Sequence, residues 1–302
     1  MKYAYKELKF QAATLAMIET ANEIIAEYQA KGFSLTLRQL YYQFVARGLL
    51  ANEERTYKRL GSTIADARMA GLVDWDAITD RTRFLRTTNT WDSPKSIISA
   101  CASQFKFNLW EKQPYYIEVF IEKDALIGVI EGVCTEFRVP YLACRGYASA
   151  SEIHDAGNYR FRRMLNLGKK CCVLYLGDHD PSGLDMTRDV RDRLDIFTRS
   201  PGSVEVVRLA LNMDQIEEHT PPPNPTKMTD SRAEAYVDEF GAECWELDAL
   251  EPDLIADLIR NALNERIDLK RWRRDAKTEE TARKQLGDTS SRWPEVVDFL
   301  KR

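Results

Sequence analysis

No run in this 302-residue chain approaches the roughly 20 consecutive apolar residues that a membrane-spanning helix needs. The opening Met-Lys-Tyr-Ala-Tyr-Lys lacks the apolar segment of a signal peptide, so the expected compartment is the cytoplasm. There are 6 cysteines, but no pair has the spacing of a zinc-ligand set. Most sit inside apolar segments and read as small core residues of a reducing compartment. Cys171 and Cys172, neighbours on one predicted strand, point to opposite faces and are poor partners for each other. No Gly-rich nucleotide loop and no internal repeat is present. The net charge of -4 argues against a chain that coats nucleic acid indiscriminately.

What is present is acid at the ends of apolar runs. Residues 173–185 read Val-Leu-Tyr-Leu-Gly-Asp-His-Asp-Pro-Ser-Gly-Leu-Asp, an apolar run that stops at Asp178 and Asp180. An earlier run, Tyr116-Ile-Glu-Val-Phe-Ile-Glu-Lys-Asp, ends the same way at Glu122. Two buried strands thus bring carboxylates to one rim of one sheet. Magnesium prefers hard oxygen ligands and usually keeps several waters while it grips a phosphate, so the set predicts a Mg2+ site, with Mn2+ a possible substitute. Asp185 and Glu246 are second-rank acids near that metal. His179, between the two aspartates on a turn, reads as pointing away rather than as a ligand.

The basic side chains are unevenly spread. Residues 31–86 hold 10 Lys or Arg against 6 Asp or Glu. The apolar spacing predicts a helix over 5–31 carrying Leu15, Ile18, Ala21, Ile24 and Ile25. Ser34 or Thr36 caps a second, with Leu37, Leu40, Tyr41 and Phe44, ended by Gly48. A third starts near Asn52, and a fourth holds Ile64, Ala65, Arg68 and Met69. Segments 72–75 and 78–83 suit a small wing. Helices and wing suggest a winged helix-turn-helix over 1–90, with Lys58, Arg59 and Arg68 on a DNA-reading helix near 56–70. The competing reading of these charges is a solvated helix face.

Residues 91–113 are linker plus one helix. From Pro114 the pattern alternates: strand 116–122, helix 124–137, strand 139–145, helix 149–167, strand 171–177, helix 182–198, strand 203–211. The fold class is therefore α/β, a parallel sheet flanked by helices over 114–267, preceded by an α-helical module. Pro221-Pro-Pro-Asn-Pro is a turn or short linker. A helix spans 252–267, and 268–302 form a helical tail.

A strand ending in Glu, then after two βα units a strand ending in Asp-x-Asp with Gly close behind, resembles the Toprim domain of topoisomerases, primases and related nucleases. Phe120-Ile-Glu-Lys, Arg145-Gly-Tyr, Gly177-Asp-His-Asp-Pro-Ser-Gly, Val207-Arg-Leu-Ala-Leu and Trp245-Glu-Leu-Asp-Ala-Leu follow in the order seen in the topoisomerase VI A subunit and the related meiotic double-strand-break transesterase. In that family a winged helix carrying Arg-x-x-Tyr-Tyr precedes the Toprim domain, here Arg38-Gln-Leu-Tyr41-Tyr42. The resemblance covers roughly residues 34–267.

The resemblance implies a DNA-cleaving transesterase. Tyr42 attacks a phosphodiester and stays joined to a 5′ end, with magnesium held by Glu122, Asp178 and Asp180. Lys123 and Arg145 are candidate phosphate contacts. Double-stranded DNA is the expected partner, in a nucleoid-associated setting without membrane. A homodimer is implied, with the Tyr of one subunit working on the acids of the other, and a separate ATPase subunit would have to supply any ATP-driven step. Helix geometry gives its own view of the tyrosines. Leu37, Leu40, Tyr41 and Phe44 share one face, while Arg38 and Tyr42 lie one turn apart on another. On that reading Tyr41 is core and Tyr42 is free to act, with Arg38 favouring its phenolate. Two alternatives stay open: a hydrolytic Toprim nuclease in which Tyr42 is incidental, and a non-catalytic DNA-binding scaffold.

Overall fold

Two neighbouring strands, each apolar on both faces, form the centre of the molecule. The computed structural model describes residues 2–33, 35–78, 88 and 90–302. Its N-terminal part holds helices α1 (Ala12–Ala30), α2 (Leu37–Ala46) and α3 (Glu54–Met69), followed by α4 (Pro94–Gln104). Then come β1 (Tyr115–Ile121), α5 (Ile127–Phe137), β2 (Tyr141–Ala143), α6 (Ala150–Asp155), α7 (Arg162–Asn166), β3 (Lys170–Leu176), α8 (Pro181–Thr198) and β4 (Val204–Ala210). The chain ends with α9 (Met213–His219), β5 (Asn224–Pro225), α10 (Ala233–Phe240), β6 (Glu243–Cys244), α11 (Pro252–Asn264), α12 (Leu269–Ser291) and α13 (Trp293–Leu300). Between α6 and α7 the helix continues through a π turn, Ala156–Phe161.

The four main strands are parallel, in the order β2-β1-β3-β4. Side chains alternate across them as period 2 requires. Ile117, Val119, Ile121, Cys172, Leu174 and Leu176 face one core with α5 and α11. Phe120, Cys171, Val173 and Tyr175 face the other, with α8 and the α6–α7 helix. Cys171 and Cys172 do occupy opposite faces, and of the cysteines only Cys101 is exposed. Burial on both faces explains why these strands read as continuous apolar runs. Each fully buried Leu or Ile here contributes about 2–5 kcal/mol against truncation to Ala.

The α/β part thus matches expectation, and the N-terminal part needs three corrections. The first helix begins at Ala12, not residue 5, because residues 4–6 are tied to the end of α3. Ala4 bridges Ala70, and the Tyr5 and Lys6 amides both donate to the Met69 carbonyl. Leu15 is exposed rather than part of the buried stripe. The expected third and fourth helices are one, α3, running unbroken through Gly61, which packs against Leu37. The wing falls partly on residues 79–83, outside the described residues, while Trp75–Ala77 forms a 3-10 turn and Ile78 bridges Leu35.

The two parts share a boundary. Ala249 enters the core made by Ile24, Tyr28, Leu40, Phe44 and Leu60. Lys31 pairs with Asp253 at 2.7 Å, and the Asn52 amide donates to Asn224 Oδ1 at 2.6 Å. No helix among the described residues is long and apolar enough to cross a membrane.

Candidate active site

In an open parallel sheet, ligands bind where successive crossovers leave in opposite directions. Here the crossover from β1 leads to β2 on one side, and the next leads to β3 on the other, so the crevice opens at the C-terminal ends of β1 and β3. Glu122 directly follows β1 and Asp178 lies just past β3. A cleft of about 1070 Å³ opens there, lined by Glu122, Asp178, Asp180, Arg145, Lys227 and Glu246 among others.

The loop after β3 is fixed by its own backbone. The Asp178 amide donates to Glu122 Oε2 at 2.9 Å, a close approach that Gly177 permits because a Cβ there would meet the same oxygen. Asp180 caps α8, accepting from the Gly183 amide at 2.6 Å and the Ser182 hydroxyl at 2.9 Å, with Pro181 at the first helical position. Gly183 is required as well, since a Cβ would collide with the Asp178 carbonyl. From below, the Arg208 guanidinium donates to the carbonyls of Gly177, Asp178 and Gly183 and to the Thr187 hydroxyl. Arg208 was not among the expected site residues, and its signal was a lone cation inside an apolar strand.

A second acidic segment reaches the cleft from beyond the sheet. His179 and Trp245 exchange backbone hydrogen bonds, at 2.9 and 3.0 Å. The His179 ring turns into an aromatic pocket, with Nδ1 2.8 Å from the Tyr236 hydroxyl and an edge-to-face contact with Phe240. Burial, then the positive charge of Arg208, pull its pKa down to about 4, so it is neutral and not aimed at the acids. This pairing delivers Glu246 and Asp248 to the site. Asp248 was not anticipated; its signal was the second acid in Trp245-Glu-Leu-Asp.

Lys123 lies between the two segments. Its ammonium is 2.9 Å from Asp178, 2.9 Å from Glu246 and 2.7 Å from Asp248. Burial works against its charge, but Asp248, Asp178 and Glu246 outweigh it and hold the pKa above the ordinary lysine value. Asp178 also accepts from the Leu247 amide at 2.8 Å. Burial, partly opposed by Lys123 and reinforced by Glu122 and Asp248, pushes the Asp178 pKa up to about 7. Glu122 is raised too, chiefly by burial. Glu246 goes the other way: despite burial, Lys123 and Arg38 pull it down to about 2.

Helix α2 brings Arg38, Tyr41 and Tyr42 to this edge. Thr36 caps it through a reciprocal pair with Gln39. Tyr41 is core as expected, its hydroxyl holding the loop through the Ala51 carbonyl and the Glu53 amide. Tyr42 is not free: it is 3% exposed, and burial followed by the charges of Glu246 and Asp248 raises its pKa. Arg38 lies 5.8 Å from the Tyr42 ring centroid, but its guanidinium is committed to Glu246 and Asp248.

The remaining expected residues divide. Arg145, in left-handed conformation (φ 56°) on the cleft rim, is 72% exposed at its side chain and reaches Asp124 at 3.1 Å. Lys58 is exposed and paired with Glu54, and Arg59 is exposed one residue on. Arg68 instead donates to the carbonyls of Trp75 and Ile78 and packs on the Trp75 ring, so it holds a loop rather than facing solvent. Asp185 pairs with Arg188 and Arg232.

Among the described residues no three His, Cys, Asp or Glu side chains gather at the spacing of a metal-ligand set. Both oxygens of Asp178 are engaged, by the Leu247 amide and the Lys123 ammonium. The donor chemistry still suits a hard cation. Glu122 and Asp180 each accept through one oxygen only among the described residues, and their charges repel each other. Magnesium is commonly bound through one or two carboxylates with water completing its shell, which this pair fits better than a closed triad. No family model matches this sequence, and a search of curated proteins returns no match.

Proposed function

We propose that the chain is a magnesium-dependent enzyme that breaks phosphodiester bonds in double-stranded DNA, a relative of the topoisomerase VI A subunit. The observation that carries this reading is the meeting of Arg38 and Tyr42 from α2 with Glu246 and Asp248 beside the Glu122–Asp178–Asp180 edge. Glu122 and Asp180 would hold a divalent cation, which would supply Lewis acidity toward the phosphodiester. The Tyr42 oxygen attacks phosphorus as its phenol proton passes to water in the cleft. The new Tyr–phosphate bond forms as the bond to the 3′ oxygen breaks, and that oxygen takes a proton from solvent. Arg38, released from Glu246 and Asp248, grips the phosphate in a planar fork. Lys58, Arg59 and Arg145 contact flanking phosphates. Two copies cut two strands, and any ATP-driven cycle runs through a separate subunit.

A second reading, hydrolysis by water, is favoured by one observation: the Tyr42 phenol is buried and its proton is held more tightly than usual. The two separate in one experiment. Protein is incubated with end-labelled duplex DNA and Mg2+ or Mn2+, then quenched with detergent. A protease-sensitive adduct on 5′ ends, absent in Tyr42→Phe, supports transesterification. Free cut ends made equally by both proteins establish hydrolysis, and no cutting by either removes both readings.

A further inference from the structure

Five carboxylates, from just past β1 and β3 and from the segment after β6, fall into two sets. Asp178, Glu246 and Asp248 surround one ammonium, so that each of the three N–H groups of Lys123 has a carboxylate to receive it. Glu122 and Asp180 stand apart, each with one oxygen accepting no hydrogen bond among the described residues. The Lys123 side chain is 18% exposed and that of Asp248 is 0% exposed. An ammonium is removed from water to this extent only where close opposite charge offsets the desolvation. Arg38 adds a second positive group to the same three acids, through Glu246 and Asp248, and none to Glu122 or Asp180.

Many phosphodiester-cleaving sites hold two divalent ions about 3.5–4 Å apart, one on each side of the reacting phosphate. We propose that Lys123 is a built-in second cation. It neutralises the Asp178–Glu246–Asp248 set and limits the cleft to one divalent metal, on the Glu122–Asp180 side. The inference rests on the metal-dependent reading above. A lysine serves this role as a compact point charge that is present at any metal concentration. Its sequence neighbour Glu122 belongs to the other set, so one strand end supplies both the fixed cation and a ligand for the exchangeable one.

The test counts bound Mn2+ by titration calorimetry and by loss of the free-ion paramagnetic resonance signal, on the full chain stripped of metal. One ion is expected for the unaltered protein and for Lys123→Arg. Two are expected for Lys123→Met, where three acids lose their cation. Because that variant leaves buried charge uncompensated, Lys123→Met is also combined with Asp248→Asn, which keeps two acids for the new ion with less repulsion, and two ions are expected again. Two ions on the unaltered protein would overturn the proposal and leave the metal-dependent reading standing. One ion at unchanged affinity in the double variant would do the same. No ion on the unaltered protein would remove both.

Discussion

Arg38 Nε lies 3.0 Å from Asp248 Oδ2, and this contact joins the first turn of α2 to the turn that follows β6. Asp248 Oδ2 is buried and makes no regular hydrogen bond, so the guanidinium is its main compensation. The ion pair therefore couples the fold of the N-terminal helices to the charge state of the cleft. Replacing Arg38 with Ala is expected to lower stability by about 1–2 kcal/mol, toward the low end for charged hydrogen bonds because the Arg38 side chain is 44% exposed. Urea unfolding at pH 7 measures this. The same variant should nitrate faster at Tyr42, and an unchanged midpoint together with unchanged nitration would count against the coupling.

Stability should depend on pH through His179. Its folded pKa, about 4, lies below the ordinary value near 6.5, so the unfolded chain binds the extra proton between those limits. Stability then rises with pH across that window and is fully present above it, a difference of up to about 3 kcal/mol. His179→Gln should flatten this part of the profile. A profile of the same slope in both proteins would mean that another group titrates.

Gly183→Ala tests the loop rather than the charges. The added Cβ meets the Asp178 carbonyl and lies 3.2 Å from Asp180 Oδ1, so the loop must shift. Overpacking of this kind costs about 1–3 kcal/mol, and cleavage should fall with it because both aspartates move. Thermal unfolding and nicking of plasmid DNA read the two effects; full activity at wild-type stability would show that the loop has room.

Arg59 and Arg68, both expected to touch DNA, should now behave differently. Arg59→Gln is predicted to weaken DNA binding and to reduce the slope of log affinity against log salt by about one. Arg68→Gln should leave that slope alone and destabilise the loop at Trp75 and Ile78. Fluorescence anisotropy across a salt series, paired with unfolding curves, distinguishes them.

The α/β elements were legible because β1 and β3 are buried on both faces and α8 starts at a recognisable cap, Asp180-Pro181. Glu122, Asp178 and Asp180 were legible for the same reason, as polar residues interrupting apolar runs. What was not legible depends on partners far along the chain. Helicity over residues 5–11 was forestalled by pairing with the end of α3. Gly61-Ser-Thr reads as a break by propensity alone, yet packing of Gly61 on Leu37 carries the helix through. The helical wheel set Tyr42 apart from the α2 core face, yet Tyr42 joins Leu40, Tyr41 and Phe44 in one buried cluster, and the wheel carried no information about the 246–249 segment beside it. The engagement of Asp178 by Lys123 likewise follows from the return of Glu246 and Asp248 to the cleft.

The π turn at Ala156–Phe161 sets a constraint on chain length. Within it, Arg160 grips the buried Glu118 of β1 with Nε at 2.8 Å and Nη2 at 3.1 Å, while Nη1 reaches Glu152. A π turn holds one residue more than an α turn, so deleting a single residue here would restore a regular helix and rotate Arg160 by about 100° away from the strand. Glu118, 2% exposed, would be left as an unpaired buried charge. Insertions and deletions are usually absorbed at helix ends and loops, but in this helix the residue count itself sets whether a buried charge keeps its partner.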